Sequence, residues 1–184
     1  MSWIILIVGV ALWWLAHLFK RIAPERRASM GDAGKAAVAV ALVVSIVLMT
    51  LGYRGTDFVH VWAPPEYLVH LNNLLMLVAI YMMSPAPRRG RLIAGMRHPM
   101  LTGFALWAVA HLLVNGDLAS IVMFGGLLAW AVVEPRVINA AEPGWTAPTG
   151  GRWSRDAMFA AGSVILLAVI GWIHNWLGVW PFPS

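Results

Sequence analysis

The chain has 184 residues, 60% of them hydrophobic and only 11% charged, with no cysteine and a formal charge of +5. Soluble domains run nearer a quarter charged, so one soluble core is excluded as a home for this much apolar surface, whereas a bilayer takes it. The lack of cysteine excludes disulfides, zinc–thiolate sites, iron–sulfur clusters and thiolate haem ligation, and basic residues confined to short loops between apolar runs fit membrane orientation better than nucleic-acid binding.

Six apolar runs follow one another along the chain. The first, Trp3–Phe19, has no basic segment before it and is followed by Lys20 and Arg21 instead of a small-residue cleavage site, so a retained span is expected. It carries His17 near its later end. The second is Ala36–Leu51. Pro64-Pro65 precede the third, Tyr67–Met83, where a missing N–H costs nothing, and Ser84-Pro85-Ala86-Pro87 end it. The fourth, Met100–Val114, is opened by Arg97-His98-Pro99 and carries His111. Asn115-Gly116-Asp117 then turn the chain into the fifth, Leu118–Val133; Gly116 tolerates positive φ and Asp117 suits an N-cap. A Pro- and Gly-rich loop from Glu134 to Asp156 leads to the sixth, Ala157–Trp176. Trp172, Trp176 and Trp180 suit an interfacial aromatic belt. Small residues in the second, fifth and sixth runs, among them Gly125, Gly126, Gly162 and Gly171, permit close helix packing.

Charge orients the runs. Lys20, Arg21, Arg26, Arg27 and Lys35 lie in the first loop, Arg88, Arg89, Arg91 and Arg97 in the third, and Arg136, Arg152 and Arg155 in the fifth. Only Arg54 lies in an even-numbered loop. The positive-inside rule therefore places odd loops in the cytoplasm. The expected fold is all-α: one domain over residues 1–184, a polytopic bundle of six transmembrane helices with both termini on the periplasmic side of a bacterial inner membrane.

Several polar groups inside or beside these runs need a partner or a function, because an ionisable residue within hydrocarbon is costly. His111 is the foremost; Trp107 precedes it by one helical turn. Imidazole is a common axial ligand of b-type haem, and an apolar bundle suits such a group. Asn72 and Asn73 lie beside His70, so His70, Asn73, His111, Asn115 and Asp117 are candidates for one outer pocket; interhelical hydrogen bonding and turn chemistry are the plainer readings. Arg97 suits a lipid phosphate or an anionic substrate group, with His98 beside it, or simply a snorkelling interfacial position. Trp13-x-x-Ala16-His17 and Trp107-x-x-Ala110-His111 echo each other in a chain rich in Trp and Ala.

Arg97-His98-Pro99-Met100-Leu101, Trp107, Ala110-His111-Leu112 and Asn115-Gly116-Asp117-Leu118-Ala119-Ser120 resemble the signature of the NnrU family, small bacterial membrane proteins associated with nitrite and nitric oxide reduction. Its plant relative is zeta-carotene isomerase, a haem b protein. The resemblance implies haem b held by two histidines, matching His17 and His111 as axial ligands with Trp107 alongside, and a role in polyene-like isomerisation, in sensing through a lipophilic molecule, or in nitrite and nitric oxide metabolism. Whether the chain is an enzyme stays open. Leu18 stands where the family commonly has Ser, and Ala108 where the plant enzyme has a cysteine, so no thiolate ligand switch exists here. Span midpoints near Trp14 and Trp107 put His17 and His111 roughly 10 Å apart in depth at 1.5 Å per residue, and by depth alone His70 matches His111 better. Two other classes remain open. Arg97-His98-Pro99 through Gly103, with Glu134, is similar to membrane methyltransferases that use S-adenosylmethionine; a non-catalytic assembly or sensor subunit of a respiratory complex is the other. Expected partners are membrane lipid, a lipophilic small molecule and, as an open alternative, a second copy of the chain.

Overall fold

The computed structural model describes residues 1–183. All regular structure among them is helical, save one isolated β-bridge between His60 and Asp117. The helices are α1 (Ser2–Ile22), α2 (Pro24–Ser29), α3 (Gly31–Gly55), α4 (Leu68–Met83), α5 (Ala86–Arg89), α6 (Pro99–Val114), α7 (Leu118–Ser120), α8 (Gly126–Ala141) and α9 (Trp153–Trp176). A π-helical turn, Ile121–Gly125, joins α7 to α8 without a break.

Four stretches are long and apolar enough to cross a membrane: Ser2–Ile22, Gly31–Gly55, Leu118–Ala141 and Trp153–Trp176. The outward faces carry bare hydrocarbon; Ile4 is 62% exposed, Val40 62% and Ile165 65%, which water would not tolerate over so many residues. The chain is a membrane protein. Leu68–Met83 and Pro99–Val114 are apolar but have 16 residues each, a rise of ~24 Å against a hydrocarbon core of ~30 Å.

Every apolar run of the sequence became a helix, and most breaks follow local chemistry; the loop expected from Glu134 instead begins after Ala141, because α8 continues through Pro135. Proline disfavours helical backbone in the residue before it, so Ala23, at φ −134° and ψ 65°, ends α1, and Pro24 starts α2. Pro99 is the first residue of α6 in the same way. Asp117 caps α7: its carboxylate accepts from the Ser120 N–H at 2.9 Å. Gly116 does not take the left-handed backbone its type allows. It serves by its carbonyl instead, which accepts from the N–H groups of Val61 and Trp62 at 2.8 and 3.1 Å.

The chain divides into two compact units. The first comprises Met1–Trp62 and Gly116–Ala141. In it α1 and α3 pack antiparallel, so closely that Gly9 lies against Met49 and Gly52 against the Leu6 backbone. Ser45 Oγ, fully buried, donates to the Gly9 carbonyl at 2.9 Å. α8 runs parallel to α1: Gly126 meets Val10, and the Trp14 indole N–H donates to the Gly126 carbonyl at 3.0 Å. The second unit comprises Ala63–Asn115 and Glu142–Ser184. Here α4 and α6 are antiparallel, with Gly103 against Ala79 and Met82, and α9 packs on α4. Of the small residues singled out in the sequence, Gly126 and Gly171 make close approaches, to Val10 and Phe182; Gly125 and Gly162 face open space.

Candidate functional site

In the first unit the polar interior gathers around His17, near the end of α1. A helical histidine reaches back toward the preceding turn, and the His17 Nδ1 lies 3.0 Å from the Trp13 carbonyl. A carbonyl can only accept, so Nδ1 carries the proton and Nε2 the lone pair in the neutral ring. The ring packs against two indoles, Trp13 at 4.3 Å and Trp130 of α8 at 4.4 Å between centroids, the three rings forming a triangle. Trp13 and Trp130 meet edge-on at 5.3 Å and 85°. Glu134, one turn beyond Trp130, is buried and within electrostatic reach of His17; its Oε2 has no hydrogen-bond partner.

A second polar cluster of this unit is structural. Ser120 Oγ donates to Asp117 Oδ2 at 2.6 Å and lies 2.9 Å from the Tyr53 hydroxyl. Both carboxylate oxygens of Asp117 are therefore spent on Ser120. The Leu118 N–H donates to the Val59 carbonyl at 2.9 Å, which pins the extended 57–62 segment to the same turn.

In the second unit His111 repeats the local arrangement of His17. Its Nδ1 lies 2.8 Å from the Trp107 carbonyl, and the two rings are 4.9 Å apart. Phe104 in turn lies 4.9 Å from Trp107, also tilted. His174 of α9 makes the same bond to the Ile170 carbonyl, at 2.8 Å. The carbonyl bond is thus a general habit of helical histidines in this chain, and a tilted contact with the tryptophan one turn back is what His17 and His111 share. The echo of Trp-x-x-x-His in the sequence corresponds to a real likeness of geometry.

Around His111, Asn115 Nδ2 donates to the His111 carbonyl at 2.8 Å. The buried Asn72 amide sits 3.0 Å from the Ala110 carbonyl and 3.0 Å from Asn73 Oδ1. Asn73 turns away and donates to the Pro181 carbonyl at 3.1 Å. His70 is exposed. Of the outer-pocket residues expected in this unit, Asn115 and His111 are joined directly, while Asn73 is committed to the C-terminal segment.

The opposite end of the second unit holds Arg97 and His98. The His98 carbonyl accepts from the N–H and the hydroxyl of Thr102, each at 3.0 Å, which starts α6. The Arg97 guanidinium donates to the Glu142 carbonyl. Both residues line a cleft of about 880 Å³ with Met82, Met83, Arg88 and the Trp145–Thr149 segment. Beside the cleft, Asp156 accepts from the Tyr81 hydroxyl at 2.5 Å and from the Arg91 and Leu92 N–H groups at 2.7 and 3.3 Å.

Sequence reasoning missed Trp130 and Tyr53, because each meets its partner from a distant helix. It missed the Tyr81–Asp156 pair too; the available signal was a carboxylate in the first turn of an otherwise apolar helix. Among the described residues no cluster of three or more His, Cys, Asp or Glu has the arrangement of a bare metal site. No curated protein and no solved structure matches the chain. The NnrU protein family matches it over residues 5–181, so the chain belongs to the NnrU family.

Proposed function

We propose that the protein is a six-span inner-membrane protein with both termini periplasmic, that it binds haem b through His17 and His111, and that it acts on, or senses through, a lipophilic molecule. Helix directions inside each unit support the span count. α1 and α3 are antiparallel and α1 and α8 parallel, as first, second and fifth crossings must be; α4 and α6 are antiparallel, as third and fourth must be. Basic residues gather at matching helix ends: Lys20 and Arg21 end α1, and Arg97 precedes α6.

The observation that carries the haem reading is the state of the two imidazoles. Each has Nδ1 at a carbonyl one turn back, 3.0 Å for His17 and 2.8 Å for His111, and each ring is steadied by tryptophan. Ligating histidines are held in this way, since a fixed Nδ1–H sets the tautomer that offers Nε2 to a metal and raises its basicity. The residues present therefore fit the group by donor type. Bound haem would supply a redox-active iron within an apolar interior. The tryptophans would orient the ligands and exclude water.

The test is an absorption spectrum of freshly extracted protein. A Soret band is expected, lost in His17→Ala and in His111→Ala and kept in His70→Ala. Retention in either of the first two, or loss only in His70→Ala, overturns the ligand assignment. A colourless protein that takes up no added haem removes the cofactor; binding of S-adenosylmethionine by that sample would support the methyltransferase alternative, and silence in both assays the scaffold one.

A further inference from the structure

The cleft at the Arg-rich end of the second unit has a composition that specifies a ligand. Its lining includes Arg88, Arg97 and His98 and not one Asp or Glu. Arg88 is exposed, and its guanidinium makes no hydrogen bond or ion pair among the described residues. Arg97 spends one donor on the Glu142 carbonyl, and a guanidinium has five in a planar fork that matches phosphate oxygens. The rest of the wall is soft and apolar: Met82, Met83, Met100 and Leu101. Methionine adapts to irregular hydrocarbon.

The far wall is a strap. Trp145–Thr149 lines the cleft between two tethers, Arg97 to the Glu142 carbonyl on one side and Arg91 Nε to the Gly151 carbonyl, at 2.9 Å, on the other. The Arg152 N–H adds a bond to the Arg89 carbonyl at 3.1 Å. A Pro-rich segment with few internal bonds is thereby held open against a cationic, methionine-lined floor. A volume of about 880 Å³ is that of a site for a small organic ligand.

We propose that this cleft binds an amphiphile with a phosphate head, its phosphate on Arg88 and Arg97 and the first part of its hydrocarbon chain along Met82, Met83 and Met100. Two cations and no carboxylate favour a phosphate monoester, with a charge of about −1.5 to −2, and disfavour a ligand headed by a sulfonium or ammonium group. The site stands apart from the haem reading and is open to test whether or not haem is present.

Isothermal titration of the detergent-solubilised full chain tests it with three probes: dihexanoyl phosphatidic acid, uncharged dihexanoylglycerol and inorganic phosphate. Phosphatidic acid is expected to bind at least about tenfold more tightly than either of the others. Arg88→Gln should lose about tenfold of that affinity, Arg88→Lys should lose less, and Lys35→Gln, a basic residue of the other unit, should lose none. Arg88 is exposed, so its variants are expected to fold, which circular dichroism checks. Equal binding of the uncharged lipid shows that charge is not read and overturns the proposal. Equal binding of inorganic phosphate overturns the amphiphile, and wild-type affinity in Arg88→Gln overturns the site.

Discussion

Gly52→Ala tests how α1 and α3 are held together. A Cβ built on Gly52 would stand 2.7 Å from Leu6 Cα and 2.8 Å from Leu6 Cβ, and would also strike the Leu6 backbone nitrogen. Carbon atoms prefer about 3.5–4.0 Å, so the helices must part by roughly 1 Å at this point. Leu6 is fully buried and the obstruction is backbone, so no rotamer change relieves it. Overpacking of this kind costs about 3 kcal/mol at the upper end of its range, and alanine returns about 1 kcal/mol of helix propensity, which leaves about 2 kcal/mol. In lipid this loss is not offset by hydrophobic association, because helix–helix packing there rests on van der Waals contact and hydrogen bonds. Gly126→Ala is the control: its Cβ meets the Val10 side chain at 2.8 Å and nothing else closer than 3.9 Å. Titration from mixed micelles into dodecyl sulfate, followed by circular dichroism, reads both. Val10→Ala should rescue Gly126→Ala, and Leu6→Ala should not rescue Gly52→Ala. Wild-type stability in Gly52→Ala, or equal rescue of the two, refutes backbone-limited packing.

Three further changes have defined outcomes. Asp117→Ala removes the cap of α7, strands the Ser120 N–H and leaves the Ser120 hydroxyl with Tyr53 alone; a loss of about 2 kcal/mol is expected in the same titration, with Asp117→Asn milder. Asn72→Leu removes a buried amide lying against the Ala110 carbonyl and should cost about 1–2 kcal/mol; an unchanged midpoint would show that bond to be idle. Gly90→Ala would drive a methyl group into the Asp156 carboxylate that holds the Arg91 and Leu92 N–H groups, so limited proteolysis should cut between residues 89 and 92 faster than in the native protein.

The sequence by itself determined the apolar helices and several of their ends, though not the end of α8, which runs on through Pro135 to Ala141. Apolar runs, prolines at helix starts and the Asp117 cap act over a few residues, so composition and spacing suffice to place them. Trp107 and His111, one turn apart on the same helix, were legible as a pair for the same reason. Only the tertiary structure decided which groups from distant segments meet. Trp130 closes over His17, Tyr53 joins Ser120, Asp156 joins Tyr81, and the strap at Trp145 walls a cationic cleft. Small residues make the point sharply: Gly52 and Gly162 look alike in a one-dimensional string, yet one lies against a neighbouring backbone and the other faces open space. A helix's apolar pattern in lipid does not say which face meets protein, since hydrocarbon lies on both sides, and that choice is made by packing and by the few interior hydrogen bonds.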